Sequence, residues 1–341
     1  MNETVHRVWP IKSILFFILC MALSWTWNAA AQSPHDWLER MDSANGKYNF
    51  QGTLVHMCDG TMDVVRIVHR VDDGQVTERI TSKAAGGRQV IRNADEVMCI
   101  LPDQKKVMVE RRGAESSPIG AQITNFPSFS NISELHYKIM MLSPDRVAEH
   151  DTVVLAIRPT DEFRYGYRLW LDQRTALPLK FELVDTKGNG LEQGVFTDIQ
   201  FSESISAQDV EPTIATDEFE WHRSDAVSAP TPDVKQGSSA SSAVSKWRAT
   251  MLPSGFKLAF AETKFVDGED VPMEQLVYSD GLATISVFIE ASAEDDPEMD
   301  GMSNIGATNA FSTTKNGYLI TAMGGVPPAT ARMVAMSVAS H

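Results

Sequence analysis

The chain predicts an α+β fold dominated by β structure, in two domains of unequal size. Three observations carry this. Short alternating apolar–polar runs recur between residues 48 and 201, tight-turn dipeptides separate many of them, and a stretch rich in Pro, Gly, Ser and Ala at 207–245 divides the chain. The 341 residues carry a net charge of −15 and are 43% hydrophobic. An ordinary packed core is therefore expected, and a nucleic-acid-binding or anionic-membrane surface is not.

Residues 1–31 read as an export signal. Arg7 and Lys12 precede the apolar run 14–23, and Ala29-Ala30-Ala31 supplies a small-residue cleavage site. The run is far shorter than the roughly 20 residues a membrane span needs. Cys20 follows Leu19, where a lipoprotein site has Gly or Ala. With no later span, a soluble exported product is expected. Cys58 and Cys99 remain after cleavage, and an oxidising compartment permits a bridge between them. Consecutive strands would instead put them on strands one and five, roughly 19 Å apart at about 4.8 Å per strand, beyond disulfide reach.

The first domain, 32–206, opens with a helix. Ser33 can cap it, Pro34 suits its first turn, Asp36 and Glu39 favour its positive end, and Trp37, Leu38 and Met41 share one face. Tyr48, Phe50, Leu54 and His56 then alternate with polar or small residues, and Asp59-Gly60 turns the chain into 62–70. Further strands are expected at 75–81, 89–92, 96–101, 105–110, 137–142, 153–158, 165–172, 179–184 and 191–201, as an antiparallel meander. Residues 112–132 break the rhythm. Phe126 and Phe129 stand there among Gly, Pro and Ser, which suits a lid over something apolar as well as a surface insertion.

Residues 207–245 read as a flexible linker, in which Phe219 and Trp221 stand out as side chains able to dock on either domain. The second domain, 246–341, is α+β. Residues 251–256 enter it, strands 274–279 and 283–290 flank the Asp280-Gly281 turn, and 317–323 forms another strand. A terminal helix is expected from Pro327-Pro328 through Val338, with Met333, Val334 and Val338 as its inner stripe.

No catalytic constellation appears. Gly-x-Ser-x-Gly, His-Glu-x-x-His, Cys-x-x-Cys and phosphate-loop patterns are absent from the sequence, and the histidines are scattered. His56 faces Asp63 across the first hairpin, an arrangement typical of a cross-strand ion pair. Glu294-Asp295-Asp296 with Glu298 and Asp300 lacks the alternation and glycine of a calcium loop. Asn131-Ile132-Ser133 matches a glycosylation sequon, a pattern too common to weigh. A binding protein is expected, with no catalytic residues, metal or cofactor. Its most informative feature is one long apolar sheet face. Tyr165, Tyr167, Leu169 and Leu171 share a side, and Phe181, Leu183, Phe50 and Leu54 add to it. One short helix covers only part of such a face, and the excess must meet a second layer, a partner or a lipid. The expected cavity is lined by Phe50, Leu54, Tyr167, Leu169 and Phe181, with Phe126 and Phe129 as its lid.

Tyr165-Gly166-Tyr167-Arg168-Leu169-Trp170-Leu171-Asp172, Leu177-Pro178-Leu179-Lys180 and Leu191-Glu192-Gln193 resemble the MucB/RseB family. So do Leu252-Pro253-x-Gly255-Phe256, Tyr278-Ser279-Asp280-Gly281-Leu282, Gly306-Ala307-Thr308-Asn309 and Val326-Pro327-Pro328-Ala329-Thr330. The resemblance implies a first domain like the carriers LolA and LolB, an open antiparallel half-barrel with a helix plug that senses lipid. It implies a periplasmic negative regulator of an envelope-stress sigma factor. Such a protein binds the periplasmic region of a single-pass membrane anti-sigma factor and shields it from regulated proteolysis. Lipid, lipopolysaccharide or lipoprotein acyl chains would relieve the block. The partner contact is expected in the second domain, with Tyr278, Ser279, Asp280 and Gly281 as its exposed feature. Lys83–Gly87 is looser than the family's turn, and Gly325 stands where an acidic residue is common, which bears on the partner contacts. A plain periplasmic lipid or lipoprotein carrier is the alternative; it leaves the second domain without a role. Self-association stays open.

Overall fold

The computed structural model describes residues 32–111, 127–129, 132–224, 245–265, 272–292 and 300–340. The expected export signal, Phe126, Asn131, residues 225–244 of the expected linker and the acidic residues 294–298 lie outside the described residues. Residues Pro34–His341 form one compact unit.

Helix α1 (Pro34–Ala44) buries Trp37, Leu38, Met41 and Ala44, the stripe its helical spacing predicts. Six strands follow: β1 (Asn49–Cys58), β2 (Thr61–Asp72), β3 (Gln75–Ser82), β4 (Gln89–Arg92), β5 (Glu96–Leu101) and β6 (Lys106–Arg111). The next six are β7 (Tyr137–Met141), β8 (Asp145–Val147), β9 (His150–Pro159), β10 (Gly166–Asp172), β11 (Pro178–Val184) and β12 (Gly190–Ser202). At the first hairpin, Asp59 and Gly60 both take positive φ, 49° and 71°, as a two-residue turn between twisted strands requires. An edge strand, β13 (Glu220–Ser224), completes a sheet ordered β13-β6-β5-β4-β3-β2-β1-β12-β11-β10-β9-β7, with β8 on β9.

This is not the single meander expected. Two runs of neighbouring strands are joined by β1 pairing antiparallel with β12, Asn49 opposite Ser202. No local turn signal announces a pairing between strands so distant in the chain. Residues 207–224 are a second correction, because they belong to the edge of this sheet and not to a free linker. Ser206 and Asp209 form a reciprocal cap around the 3-10 turn Ala207–Val210, and Val210 is buried. The Thr213 amide donates to the Gln89 side chain (3.0 Å), and β13 runs parallel to β6. Phe219 and Ile214 pack on Ile91, Ile100, Val107 and Val109, so Phe219 docks on the first sheet.

The second sheet is built from β15 (Lys257–Phe265), β16 (Pro272–Ser279), β17 (Thr284–Ala291), β18 (Asp300–Ile305), β19 (Thr308–Lys315) and β20 (Tyr318–Gly324). Its order is β15-β16-β17-β20-β19-β18. Strands β15, β18 and β19 add to those the sequence predicts. Helix α2 (Pro328–Met336) buries Thr330, Ala331, Val334 and Ala335. It stops short of the expected end. Val338 lies in β21 (Val338–Ser340), paired with Ala249 of β14 (Trp247–Ala249), while Met333 is half-buried at the groove beside the helix. The edge pairing competes with one more helical turn and wins. Cys58 and Cys99 are free thiols on β1 and β5, with β2, β3 and β4 between those strands.

A charged row crosses the interior face where Phe50, His69, Glu78 and Arg92 are successive cross-strand partners. His69 donates from Nε2 to the Asn45 carbonyl just beyond α1 (2.8 Å), its Nδ1 lies 2.6 Å from Glu78, and its ring stacks on Phe50 at 4.6 Å. Arg92 Nε donates to the other Glu78 oxygen at 2.8 Å. Burial alone would push the Glu78 carboxyl up, but Arg92 and His69 outweigh it and hold the group at about 2. A folded value below the ordinary glutamate value of about 4.3 contributes stability above pH 5 that is lost as pH falls toward 2. Glu78→Gln should therefore cost about 3 kcal/mol in urea unfolding at pH 7. The gap between wild type and variant should narrow steadily from pH 5 to pH 3; a gap independent of pH would contradict this account.

Candidate functional site

The candidate site is the interior face of the large sheet and the place where the second sheet meets it. Direct partners on antiparallel strands share a face, and residues two apart on a strand do too. Leu155, Leu169, Phe181, Gly194 and His56 form one continuous row across β9, β10, β11, β12 and β1. Phe50 and Leu54 share the side of His56, and Tyr167 shares that of Leu169. All described residues of the expected cavity lining thus lie on one face. Gly194 belongs there because a Cβ would strike the Phe181 ring.

The face is filled. Trp37, Leu38 and Met41 of α1 pack on Leu155, Ile157, Leu169, Leu171 and Phe181, together with Phe129, Ile132 and Tyr137. Phe50 and Leu54 join the neighbouring cluster with Val65, Ile67 and Phe196. Phe129 is fully buried, its ring 5.1 Å from that of Tyr167 in an edge-on contact. Asp42 of α1 ties the segment down, accepting from Ser128 Oγ (2.7 Å) and from the Phe129 amide (3.3 Å). Leu169 and Phe181 are core residues in this arrangement, and Tyr167 borders a cavity.

Leu282 of the second sheet's β16–β17 hairpin belongs to the same apolar cluster. The hairpin carrying Tyr278, Ser279, Asp280 and Gly281 is therefore not the exposed feature expected. Tyr278 and Ser279 are buried, and the Asp280 side chain has no exposure. Each has internal work. Tyr278 Oη accepts from the Ala249 amide (2.8 Å), and Ser279 Oγ donates to the Ala283 carbonyl (3.0 Å). Asp280 Oδ1 accepts from the amides of Leu282 and Ala283, and Gly281 takes φ 101°, which an L side chain resists.

Asp280 Oδ2 meets the first sheet. It accepts from Arg164 Nη1 (2.5 Å) and from Tyr137 Oη (2.9 Å). Arg164, fully buried, also pairs with Asp161 (3.0 Å), donates to the Ser254 carbonyl (2.6 Å) and lies over the rings of Tyr137 and Phe256. Burial, then the Asp280 charge, push the Tyr137 phenol far up, so it stays a donor. Around this clasp Thr330 Oγ1 donates to the Phe163 carbonyl (2.8 Å), Asn309 Nδ2 donates to Tyr165 Oη (3.0 Å), and Cys58 meets the β18–β19 turn at Gly306. Sequence reasoning missed Arg164 and Tyr137. In the string Asp161-Glu162-Phe163-Arg164 a lone arginine beside acids reads as a solvated turn, and nothing local marks it as buried.

A cavity of about 180 Å³ remains at the junction, between Tyr137, Tyr165 and Tyr167 on one side and Leu282, Thr284 and Gly325 on the other. His56 is opposite Asp63 as expected, yet its Nε2 lies 2.7 Å from Glu192 and Asp63 accepts from Ser82 Oγ instead. Among the described residues no group of His, Cys, Asp and Glu is arranged to hold a metal, and no helix is long and apolar enough to cross a membrane.

Comparison with known proteins matches residues 33–214 to the MucB/RseB N-terminal domain and 241–339 to the MucB/RseB C-terminal domain. The chain is 31% identical over 315 residues to the sigma factor AlgU regulatory protein MucB of Pseudomonas aeruginosa, covering 90% of this chain and 91% of that one. It is 23% identical over 302 residues to the sigma-E factor regulatory protein RseB of Salmonella typhimurium, covering 88% and 89%. The solved complex of Pseudomonas aeruginosa MucA and MucB is similar at TM-score 0.68 and 29% identity, over 90% of this chain and 99% of that one.

The clasp makes a quantitative prediction. Asp280→Ala strands the buried Arg164 guanidinium and should lower the unfolding free energy by about 3 kcal/mol. Asp161→Ala removes a more exposed partner and should cost under about 1 kcal/mol. Equal losses in denaturant unfolding would remove Asp280 from its central place.

Proposed function

Because the chain belongs to the MucB/RseB family, we propose that it acts in the periplasm as a negative regulator of an envelope-stress sigma factor. It does so by binding the periplasmic region of a single-pass anti-sigma factor and shielding that region from the initiating protease. The observation that carries this reading is the likeness, along nearly the whole chain, to a MucB solved with MucA. Lipid or lipoprotein acyl chains relieve the block by entering the apolar face beneath Phe129. Support for the lipid step is physical: the face is long and apolar, a short helix covers part of it, and a single segment tied through Asp42 covers more. Acyl surface gains roughly 25 cal/mol per Å² on leaving water, enough for micromolar capture with few polar contacts.

The junction supplies coupling. An acyl chain enters the apolar cluster to which Leu282 belongs, so lipid entry repacks the contact between the two sheets. If the anti-sigma factor prefers the lipid-free packing, each ligand weakens the other by the same factor. Tyr278, Ser279, Asp280 and Gly281 then act by building the junction, and the partner reads the arrangement they hold.

In a reconstituted assay the intact protein should slow cleavage of the anti-sigma factor's periplasmic region, and an added acyl lipid should restore it. Phe129→Ala, which opens the face, should raise affinity for an acyl probe several-fold and lower the lipid concentration needed for release, while costing about 3 kcal/mol of stability. Binding of lipid with no change in cleavage would favour a plain lipid carrier. Failure to bind the anti-sigma factor at all would sink the regulator.

A further inference from the structure

The three tyrosines at the junction cavity differ in what their hydroxyls already do. Tyr137 donates to Asp280 at 2.9 Å. Tyr165 accepts from Asn309 at 3.0 Å, which leaves its own O–H free to donate. Tyr167, whose ring packs on Phe129 within the apolar cluster, has no hydrogen-bond partner for its hydroxyl among the described residues. Two uncommitted O–H donors therefore sit where the apolar face ends, in a space of about 180 Å³ that also has the apolar wall of Leu282. That volume is several times the roughly 30 Å³ share of one water molecule.

The surrounding charges select the acceptor. Burial pushes the Tyr167 phenol far up, and the carboxylates of Glu192 and Asp280 push it further. Burial raises the Tyr165 phenol as well, against the pull of the Asn309 hydrogen bond, with Asp185 adding to it. Arg164, the nearby cation, is spent on Asp280, Asp161 and the Ser254 carbonyl. A site with neutral donors and a negative surround disfavours an anion and suits a neutral oxygen. We propose that the junction cavity is a subsite for the ester carbonyl of an acyl lipid, with Tyr167 and Tyr165 as its donors and the chain running beneath Phe129. This rests on the acyl-binding reading above and adds to it a preference for esterified over free fatty acid.

Three probes share one chain and differ at its end: pyrenyldecanoic acid methyl ester, pyrenyldecanoic acid and decylpyrene. Titrated into the full mature protein, the ester should bind about tenfold more tightly than decylpyrene, which has no oxygen, and more tightly than the acid at pH 8. Tyr167→Phe keeps the ring and removes the donor. It should weaken the ester about five- to tenfold and leave decylpyrene unchanged, and Tyr165→Phe should do the same to a smaller extent. Far-UV circular dichroism checks that both variants are folded. Equal losses for ester and decylpyrene, or no loss for either, would overturn the subsite, as would a loss confined to anti-sigma factor binding. If wild type binds decylpyrene without preferring the ester, the subsite alone fails; if it binds none of the three, the acyl-binding reading fails with it.

Discussion

The large sheet has an interior face that no single element among the described residues covers. Its rows of Leu, Ile and Phe extend from β9 to β1 and on into the rows of β2 to β5, whereas α1 offers three large apolar side chains. Each large apolar residue left exposed would forfeit roughly 1.5–3 kcal/mol. The chain meets this demand in layers: α1, then Phe129 and Ile132, then Leu282 from the second sheet. The second sheet is thus a structural continuation of the first one's core. This is why the apolar face and the junction cannot be altered independently.

Apolar contact by itself would let the two sheets slide over one another. Arg164 supplies direction. A guanidinium presents fixed donors and a flat face, and here they are matched by two carboxylates, one carbonyl and two aromatic rings drawn from both sheets. A buried ion pair is weak evidence for net stability, because desolvation offsets much of the attraction. Its value lies in geometry: misplacing the sheets strands a buried charge. The arrangement is consequently closer to two-state than to continuously adjustable.

The row of Glu78, His69 and Arg92 does comparable work just beyond the C-terminal end of α1. It is tied to the helix through the Asn45 carbonyl and to the core through Phe50. Two polar anchors therefore sit together at the C-terminal end of α1, Asp42 holding Ser128 and Phe129, and His69 holding the Asn45 carbonyl just past the helix.

Local chemistry determined much of this protein from sequence alone. The stripe of α1, the Asp59-Gly60 hairpin and the strand 165–172 follow from side-chain periodicity and turn residues, which act over a few positions. The shared face of Phe50, Leu54, Tyr167, Leu169 and Phe181 follows from strand alternation once the register is known. The tertiary structure alone decided that β1 joins β12, that residues 220–224 add an edge strand, that α2 yields Val338 to a strand, and that Tyr278 to Gly281 turn inward. It alone also placed Arg164 in the junction. Each of those outcomes is a competition between groups distant in the chain for the same buried area or the same charge. Neither competitor carries a mark of the other in its own neighbourhood, so the result exists only when the sheets are assembled.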